Sequence, residues 1–237
     1  MKPAVLITGG ANRIGKALGL HLAALGFDIA LHYNTSTKDA QNTASEIRSA
    51  KIRCEMFGCD LTDTAKTSHL IGDVKKKFPR LNLLINSASA FGKSNLDLNS
   101  LGRINQDIAI HFKAPFILIS EFARLCQRGQ IINFLDTNVS KHKTAYTTYL
   151  LAKKSLENLT KLAAVELAPH IRVNAIAPGL ILPPVSQTNS YLDRLAKKIP
   201  LKRKGNHTNI TQTVDFLVQN NFLTGQTIFV DGGEHLV

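Results

Sequence analysis

Ala4-Val5-Leu6-Ile7-Thr8-Gly9-Gly10-Ala11-Asn12-Arg13-Ile14-Gly15 is a short apolar, strand-like run that breaks into a glycine-rich turn and opens a helix-like stretch over 13–25. Glycines at such a junction let the backbone turn sharply and approach a pyrophosphate, whose charge is met by the free N–H groups of the following helix. A glycine-rich turn alone carries little weight. At the first strand–helix junction of an alternating chain it carries much more, and the competing reading of a bare tight turn becomes the minor one.

Working outward from this turn, the alternation runs to the end of the chain. Strands are expected at 4–8, 28–33, 52–57, 81–86, 130–135, 171–176 and 227–230. Helices are expected at 13–25, 37–50, 63–78 with Thr62 or Asp63 as N-cap, 101–126, 147–167 closed by Pro169, and 208–218. A loop with Pro178, Gly179, Pro183 and Pro184 follows the sixth strand. Strand and helix at this pitch predict an α/β fold of Rossmann type: a doubly wound parallel sheet with helices on both faces. No linker, repeat or low-complexity stretch interrupts residues 1–237, so a single domain is expected.

Lys and Arg number 29 against 17 Asp and Glu, a net charge of +12. Basic clusters stand at Lys75-Lys76-Lys77, Lys197-Lys198 and Lys202-Arg203-Lys204. Such clusters suit either nucleic-acid phosphates or a solvated surface that steers an anionic ligand. No zinc-finger spacing, aromatic RNA-binding box or continuous basic helix accompanies them, so no nucleic acid is expected as partner. No apolar run approaches the ~20 residues of a membrane helix, and the N-terminal residues lack a signal-peptide pattern. Cys54, Cys59 and Cys126 are odd in number and have no metal-type spacing. A reducing compartment, the cytoplasm, and no metal site are therefore expected.

The second strand ends His32-Tyr33-Asn34-Thr35-Ser36, with Lys38 close behind and Asp28 at its far end. An acid at the tip would bind a ribose 2′-hydroxyl and repel a 2′-phosphate. Neutral donors at Asn34, Thr35 and Ser36 with a nearby cation favour NADPH over NADH. Further along, Tyr149 and Lys153 lie four residues apart on one helix face. A cation beside a phenol favours phenolate, so Lys153 is expected to lower the pKa of Tyr149 and make it a usable acid. Alone, the pair also fits an ordinary exposed tyrosine with a lysine neighbour.

Taken in order, the glycine turn, Asp60-Leu61, Asn86-Ser87-Ala88, Tyr149 with Lys153, Pro178-Gly179 and Asp231-Gly232-Gly233 resemble the short-chain dehydrogenase/reductase family over essentially the whole chain. The resemblance implies that Thr8, Gly9, Gly10, Arg13, Ile14, Gly15, Asp60, Leu61, Asn86, Ser87 and Ala88 border the cofactor. Pro178, Gly179, Leu180 and Ile181 would line its nicotinamide. Tyr149 would donate the proton, and Lys153 would hold the nicotinamide ribose. A homotetramer is also implied.

Three departures narrow the resemblance to the pteridine reductase branch, and the ending Val230-Asp231-Gly232-Gly233-Glu234-His235-Leu236 is similar to bacterial dihydromonapterin and dihydrofolate reductases. Arg13 replaces the middle glycine of the turn. Asp136 occupies the place of the active-site serine, thirteen positions before Tyr149. The fourth strand continues as Ser87-Ala88-Ser89-Ala90-Phe91. A carboxylate at Asp136 would oppose the oxyanion of a carbonyl reduction. Reduction of a pterin C=N bond instead needs a proton on nitrogen, which an Asp of raised pKa can hold or relay through Tyr149. Phe91 offers a flat face for a planar ring. The resemblance further implies that Ser89 and Arg13 contact the pterin edge, Arg13 bridging to the cofactor phosphates, and that Leu180 borders the substrate.

Blander readings accompany each residue. Phe91 would serve as an ordinary core aromatic, Asp136 as the cap of a turn before Thr137 and Asn138, and Arg13 as a surface residue. His111 stands where most of the family carries an Asn; it either makes similar hydrogen bonds or is a plain helix residue. The expected activity is NADPH-dependent reduction of a dihydropterin such as dihydromonapterin or dihydrofolate. The alternatives are a 3-oxoacyl or enoyl thioester reductase acting on an acidic carrier protein, for which Tyr146 seven residues before Lys153 speaks, and a non-catalytic NADP- or nucleic-acid-binding protein. The loop over 180–200 is expected to choose the pterin.

Overall fold

The computed structural model describes residues 2–184 and 188–237. Its strands are β1 (Ala4–Ile7), β2 (Asp28–Tyr33), β3 (Cys54–Gly58), β4 (Leu81–Asn86), β5 (Gly129–Phe134), β6 (Ile171–Pro178) and β7 (Thr227–Val230). Among the described residues they form one seven-stranded sheet in the order β3-β2-β1-β4-β5-β6-β7, with every pairing parallel. Its helices are α1 (Arg13–Ala24), α2 (Thr37–Ser49), α3 (Thr64–Lys77), α4 (Leu101–Ile108), α5 (Ala114–Cys126), α6 (Thr147–Glu166), α7 (Asn189–Ala196) and α8 (His207–Gln219).

The alternation of side chains along each strand sends successive residues to opposite faces, and both faces are covered. Val5, Ile7, Ile29 and Leu31 pack with Leu18 and Leu22 of α1, Ile47 of α2 and Val214 of α8. Their neighbours Ala4, Leu6 and Ala30 face the other way, against Ile71 and Val74 of α3, Leu118 and Phe122 of α5 and Ala163 of α6. The expected doubly wound fold is the one observed.

Two expectations for helices need correction. The stretch 101–126 is not one helix: a π-helical turn, Ala109–Lys113, separates α4 from α5. Pro115 explains part of this, because its missing N–H and its ring prevent an uninterrupted α-ladder there. The loop over 180–200 contains a helix, α7, whose Leu192 and Ala196 are buried. Its eight residues lacked the length that makes a helical period recognisable. Residues 185–187 of that loop lie outside the described residues. Asp63, one of the two expected caps, closes α3 by accepting the Lys66 N–H at 3.0 Å.

Strand order reverses at β1, whose neighbours are β2 and β4. Loops leaving the carboxyl ends of these strands diverge and open a crevice, the usual ligand position in such sheets.

Candidate active site

The glycine turn sits at the carboxyl end of β1, and its geometry accounts for its residues. Gly9 has φ +66°, and a Cβ there would lie 2.9 Å from the Ala88 Cα. At Gly15 a Cβ would stand 2.1 Å from the Gly9 carbonyl oxygen, so α1 approaches the turn as closely as backbone permits. The Thr8 hydroxyl accepts the N–H groups of Ser87 and Ala88, each at 3.0 Å, and ties this turn to the loop after β4. Bare backbone beside a helix N-terminus is the cradle a pyrophosphate requires.

His32 was missed as a functional residue. Its Nδ1 accepts the Gly9 N–H at 3.1 Å, and its Nε2 donates to the Cys59 carbonyl at 2.9 Å. Burial lowers its pKa from 6.5 to about 4, against the opposing effects of the Cys59 bond and Asp60. The neutral ring thus links β1, β2 and β3 behind the turn. Nothing in the local sequence distinguishes it from any strand residue. Asn34 and Thr35 are exposed at the tip of β2, beside the half-buried Ser36, while Asp28 pairs with Ala4 at the other end of the sheet.

Asp136 follows β5 and does two things. Its Oδ1 accepts from the Asn138 N–H at 2.8 Å, capping a 3₁₀ turn, and its Oδ2 accepts from the Tyr149 hydroxyl at 3.2 Å. The structure thus places this residue both as the cap of that turn and within hydrogen-bond reach of Tyr149. Lys153, one helical turn beyond Tyr149, donates from Nζ to the Phe134 carbonyl at 2.6 Å.

The expected acidification of Tyr149 by Lys153 is overturned. Burial, followed by the adjacent Asp136 carboxylate, raises the Tyr149 pKa well above 10, and the Ser89 hydroxyl opposes this only weakly. Lys153 lies 5.9 Å from the Tyr149 ring centroid, with its charge turned to a carbonyl. Its own pKa is lowered by burial to about 8. The protein's own groups therefore hold Tyr149 as a neutral phenol, a donor rather than a phenolate.

Phe91 is 49% exposed. It stacks on Tyr146 with centroids 4.5 Å apart and meets Tyr149 edge-on at 5.0 Å. Phe91 is therefore not a core residue but one face of an aromatic shelf backed by Tyr146. His111 is buried in the π-helical turn, its Nε2 donating to the Ala90 carbonyl at 2.9 Å and its ring edge-on to Tyr149 at 5.1 Å. Burial, with Lys153 nearby, keeps it neutral.

The remaining expected residues occupy different places. Arg13, exposed and at φ +51°, reaches across the crevice to the Pro183 carbonyl at 2.8 Å. Ile14 is half-buried against the core, and Leu61 is buried near the exposed Asp60, which caps Thr62. Asn86 points its amide into the sheet, donating to Asn133 at 2.9 Å, so its backbone is what borders the crevice. Gly179 packs against Asp231, where a Cβ would be 2.6 Å from the Asp231 Cβ. Pro178 and Leu180 are half-buried and Ile181 is buried. Leu180 and Ile181 also line a cavity of about 200 Å³ with Ile199, Arg203 and Asp231. None of Tyr149, Asp136 and Phe91 lines that cavity.

A family profile described as enoyl-(acyl carrier protein) reductase matches residues 9–235. The chain belongs to the short-chain dehydrogenase/reductase family. It is an oxidoreductase of that family. It is 31% identical over 245 residues to the 3-oxoacyl-[acyl-carrier-protein] reductase FabG of Staphylococcus epidermidis, with all of both chains covered. Pteridine reductase 1 of Leishmania tarentolae is 31% identical over 279 residues, covering 99% of this chain and 96% of the relative. Among solved structures, FolM alternative dihydrofolate reductase 1 from Brucella suis in complex with NADP superposes with a TM-score of 0.94. The two are 34% identical, with 99% of this chain and 96% of the other covered. No helix among the described residues is long and apolar enough to cross a membrane.

Proposed function

We propose that this oxidoreductase reduces the C=N bond of a dihydropterin, such as dihydromonapterin or dihydrofolate, with NADPH as the electron donor. One observation carries the substrate assignment: the Asp136 carboxylate accepts a hydrogen bond from Tyr149 at 3.2 Å, beside the exposed face of Phe91. The FolM and pteridine reductase relatives support the same reading.

The cofactor fits the residues present. The tight glycine turn brings bare backbone to the N-terminus of α1, which suits a pyrophosphate, and the exposed, acid-free tip of β2 at Asn34 and Thr35 suits a 2′-phosphate. Thr8, Gly10, Arg13, Ile14, Ser36, Asp60, Leu61, Asn86, Ser87, Ala88 and the 178–181 backbone would complete that site. When bound, NADPH supplies a hydride. Lys153 would turn its Nζ towards the nicotinamide ribose.

Phe91, backed by Tyr146, provides a flat surface on which a pterin stacks, with Ser89, Arg13 and Leu180 at its margins. Hydride added at C6 and a proton added at N5 convert the C=N bond to CH–NH. Tyr149 is held as the neutral phenol and donates to Asp136. A proton taken up from solvent by Asp136 removes the charge that opposes release from Tyr149; as the phenol gives its proton to nitrogen, Asp136 returns its own to the phenolate, which restores the pair. A carbonyl reduction would build negative charge beside this carboxylate and is disfavoured.

The test mixes purified protein and NADPH with dihydromonapterin, dihydrofolate or an acetoacetyl thioester and follows cofactor absorbance. Turnover with a dihydropterin is expected. Turnover with the thioester alone would overturn the assignment in favour of an acyl reductase. The FabG relatives and the +12 charge, suited to an acidic carrier protein, support that second reading.

A further inference from the structure

The loop that carries Ser89 and Phe91 has no regular secondary structure between β4 and Asp97 beyond a single bridge from Ser94 to Tyr146. A shelf for a flat ring is useful only if it is held in register with Tyr149. What holds it is a buried polar assembly that none of the roles above employs.

The Ala90 carbonyl, immediately before Phe91, accepts from the Arg103 Nη2 at 3.2 Å as well as from His111. Arg103 is fixed in turn by Asp107, one turn further along α4: Nε donates to Oδ2 at 3.0 Å, and Nη2 lies 2.8 Å from Oδ1. The Asp107 carboxylate is fully buried, and its Oδ2 also accepts the Thr148 hydroxyl at 2.6 Å. Thr148 immediately precedes Tyr149, and the Ser94 Oγ accepts its N–H at 3.1 Å. Gly92 lets the loop lie on the guanidinium, since a Cβ there would be 2.6 Å from Nη1. One carboxylate thus joins α4, the substrate-facing loop and the N-terminus of α6. A buried ion pair is a poor source of stability, because apolar side chains of similar volume serve that purpose as well or better. Its directional bonds do something apolar packing does not: they fix the distance between two elements.

We propose that Asp107, acting through Arg103 on the Ala90 carbonyl and through Thr148 on α6, is a positioning residue that holds the Phe91 shelf in register with Tyr149 and so sets affinity for a planar substrate. The inference rests on the dihydropterin reading for its substrate, and its test separates the two. With the NADPH-loaded enzyme, Asp107→Asn and Arg103→Met are expected to raise the KM for dihydropterin roughly tenfold or more while kcat changes less. NADPH affinity is expected to stay unchanged. Thr148→Val is expected to act in the same direction, with Thr148→Ser restoring the original KM. A purely structural role would lower the folded, active fraction and hence kcat at constant KM, and that outcome would overturn the proposal.

A substrate-free readout covers the case in which no dihydropterin is turned over. The chain contains no tryptophan, so Phe91→Trp places a single indole on the shelf. Adding Asp107→Asn to that variant is expected to increase quenching of the indole by acrylamide. Unchanged quenching would overturn the positioning role. Increased quenching without dihydropterin turnover would uphold it and sink only the substrate assignment.

Discussion

Acidification is expected to destabilise this protein through an imidazole in the sheet interior. His32 joins the Gly9 amide to the Cys59 carbonyl, and burial lowers its pKa from 6.5 to about 4. The unfolded chain takes up a proton there below about pH 6.5, the folded chain only near pH 4. Stability from the neutral ring is therefore complete above the unfolded value, falls as the pH drops, and levels off below the folded one. Each pKa unit is worth about 1.4 kcal/mol, so the full loss is about 3 kcal/mol. About 2 kcal/mol of it falls between about pH 7.5 and about pH 5. That is a large share of a typical folding stability of about 5–15 kcal/mol. The assay is urea unfolding of the original protein and His32→Gln across this range. Glutamine does not titrate, so the stability difference between the two should change by about 2 kcal/mol in the variant's favour on acidification. His111, also buried and neutral, is present in both and cancels. A difference independent of pH would refute the argument and show that His32 is solvated or already charged.

Three further outcomes follow from the site. Tyr149→Phe should lower dihydropterin turnover by about 10²–10⁴-fold while leaving NADPH affinity intact, as stopped-flow and equilibrium titration would show; parallel loss of both would mark the residue as structural. Asp136→Ser keeps a side-chain acceptor for the Asn138 N–H but removes the carboxylate from Tyr149. Its thermal unfolding should therefore change little while turnover falls, and undiminished turnover would remove Asp136 from the mechanism. Lys153 loses its proton as the pH rises through about 8, so NADPH affinity should weaken through that range, and fluorescence titration of Lys153→Arg, which stays charged, should show no such fall.

The parts legible in the sequence were those with a local cause. The inner strands were recognisable because apolar runs buried on both faces need no partner to announce themselves, and the half-buried β3 and β7 by their place in the alternation; the second strand was delimited as Asp28–Tyr33. The glycine turn was recognisable because Gly9 and Gly15 meet steric limits that only glycine satisfies. The helical spacing of Tyr149 and Lys153 was visible but not decisive; the resemblance to the family, read over several motifs in order, is what singled out that pair and Asp136. The short helix α7 and the π-helical break escaped, since eight residues, or five within a longer helical stretch, are too few for an apolar period to reveal them.

What the chain alone determined, then, was the order of its elements and the residue types at the ends of its strands, because backbone sterics and apolar period act within a few residues. Only the tertiary structure decided the electrostatics. The Tyr149 pKa is raised by burial and by a carboxylate thirteen positions away, while the lysine four positions away turns its charge to the Phe134 carbonyl. His32 and Asp107 acquire their roles from partners on other elements, and no spacing in the sequence encodes how far those partners lie in space.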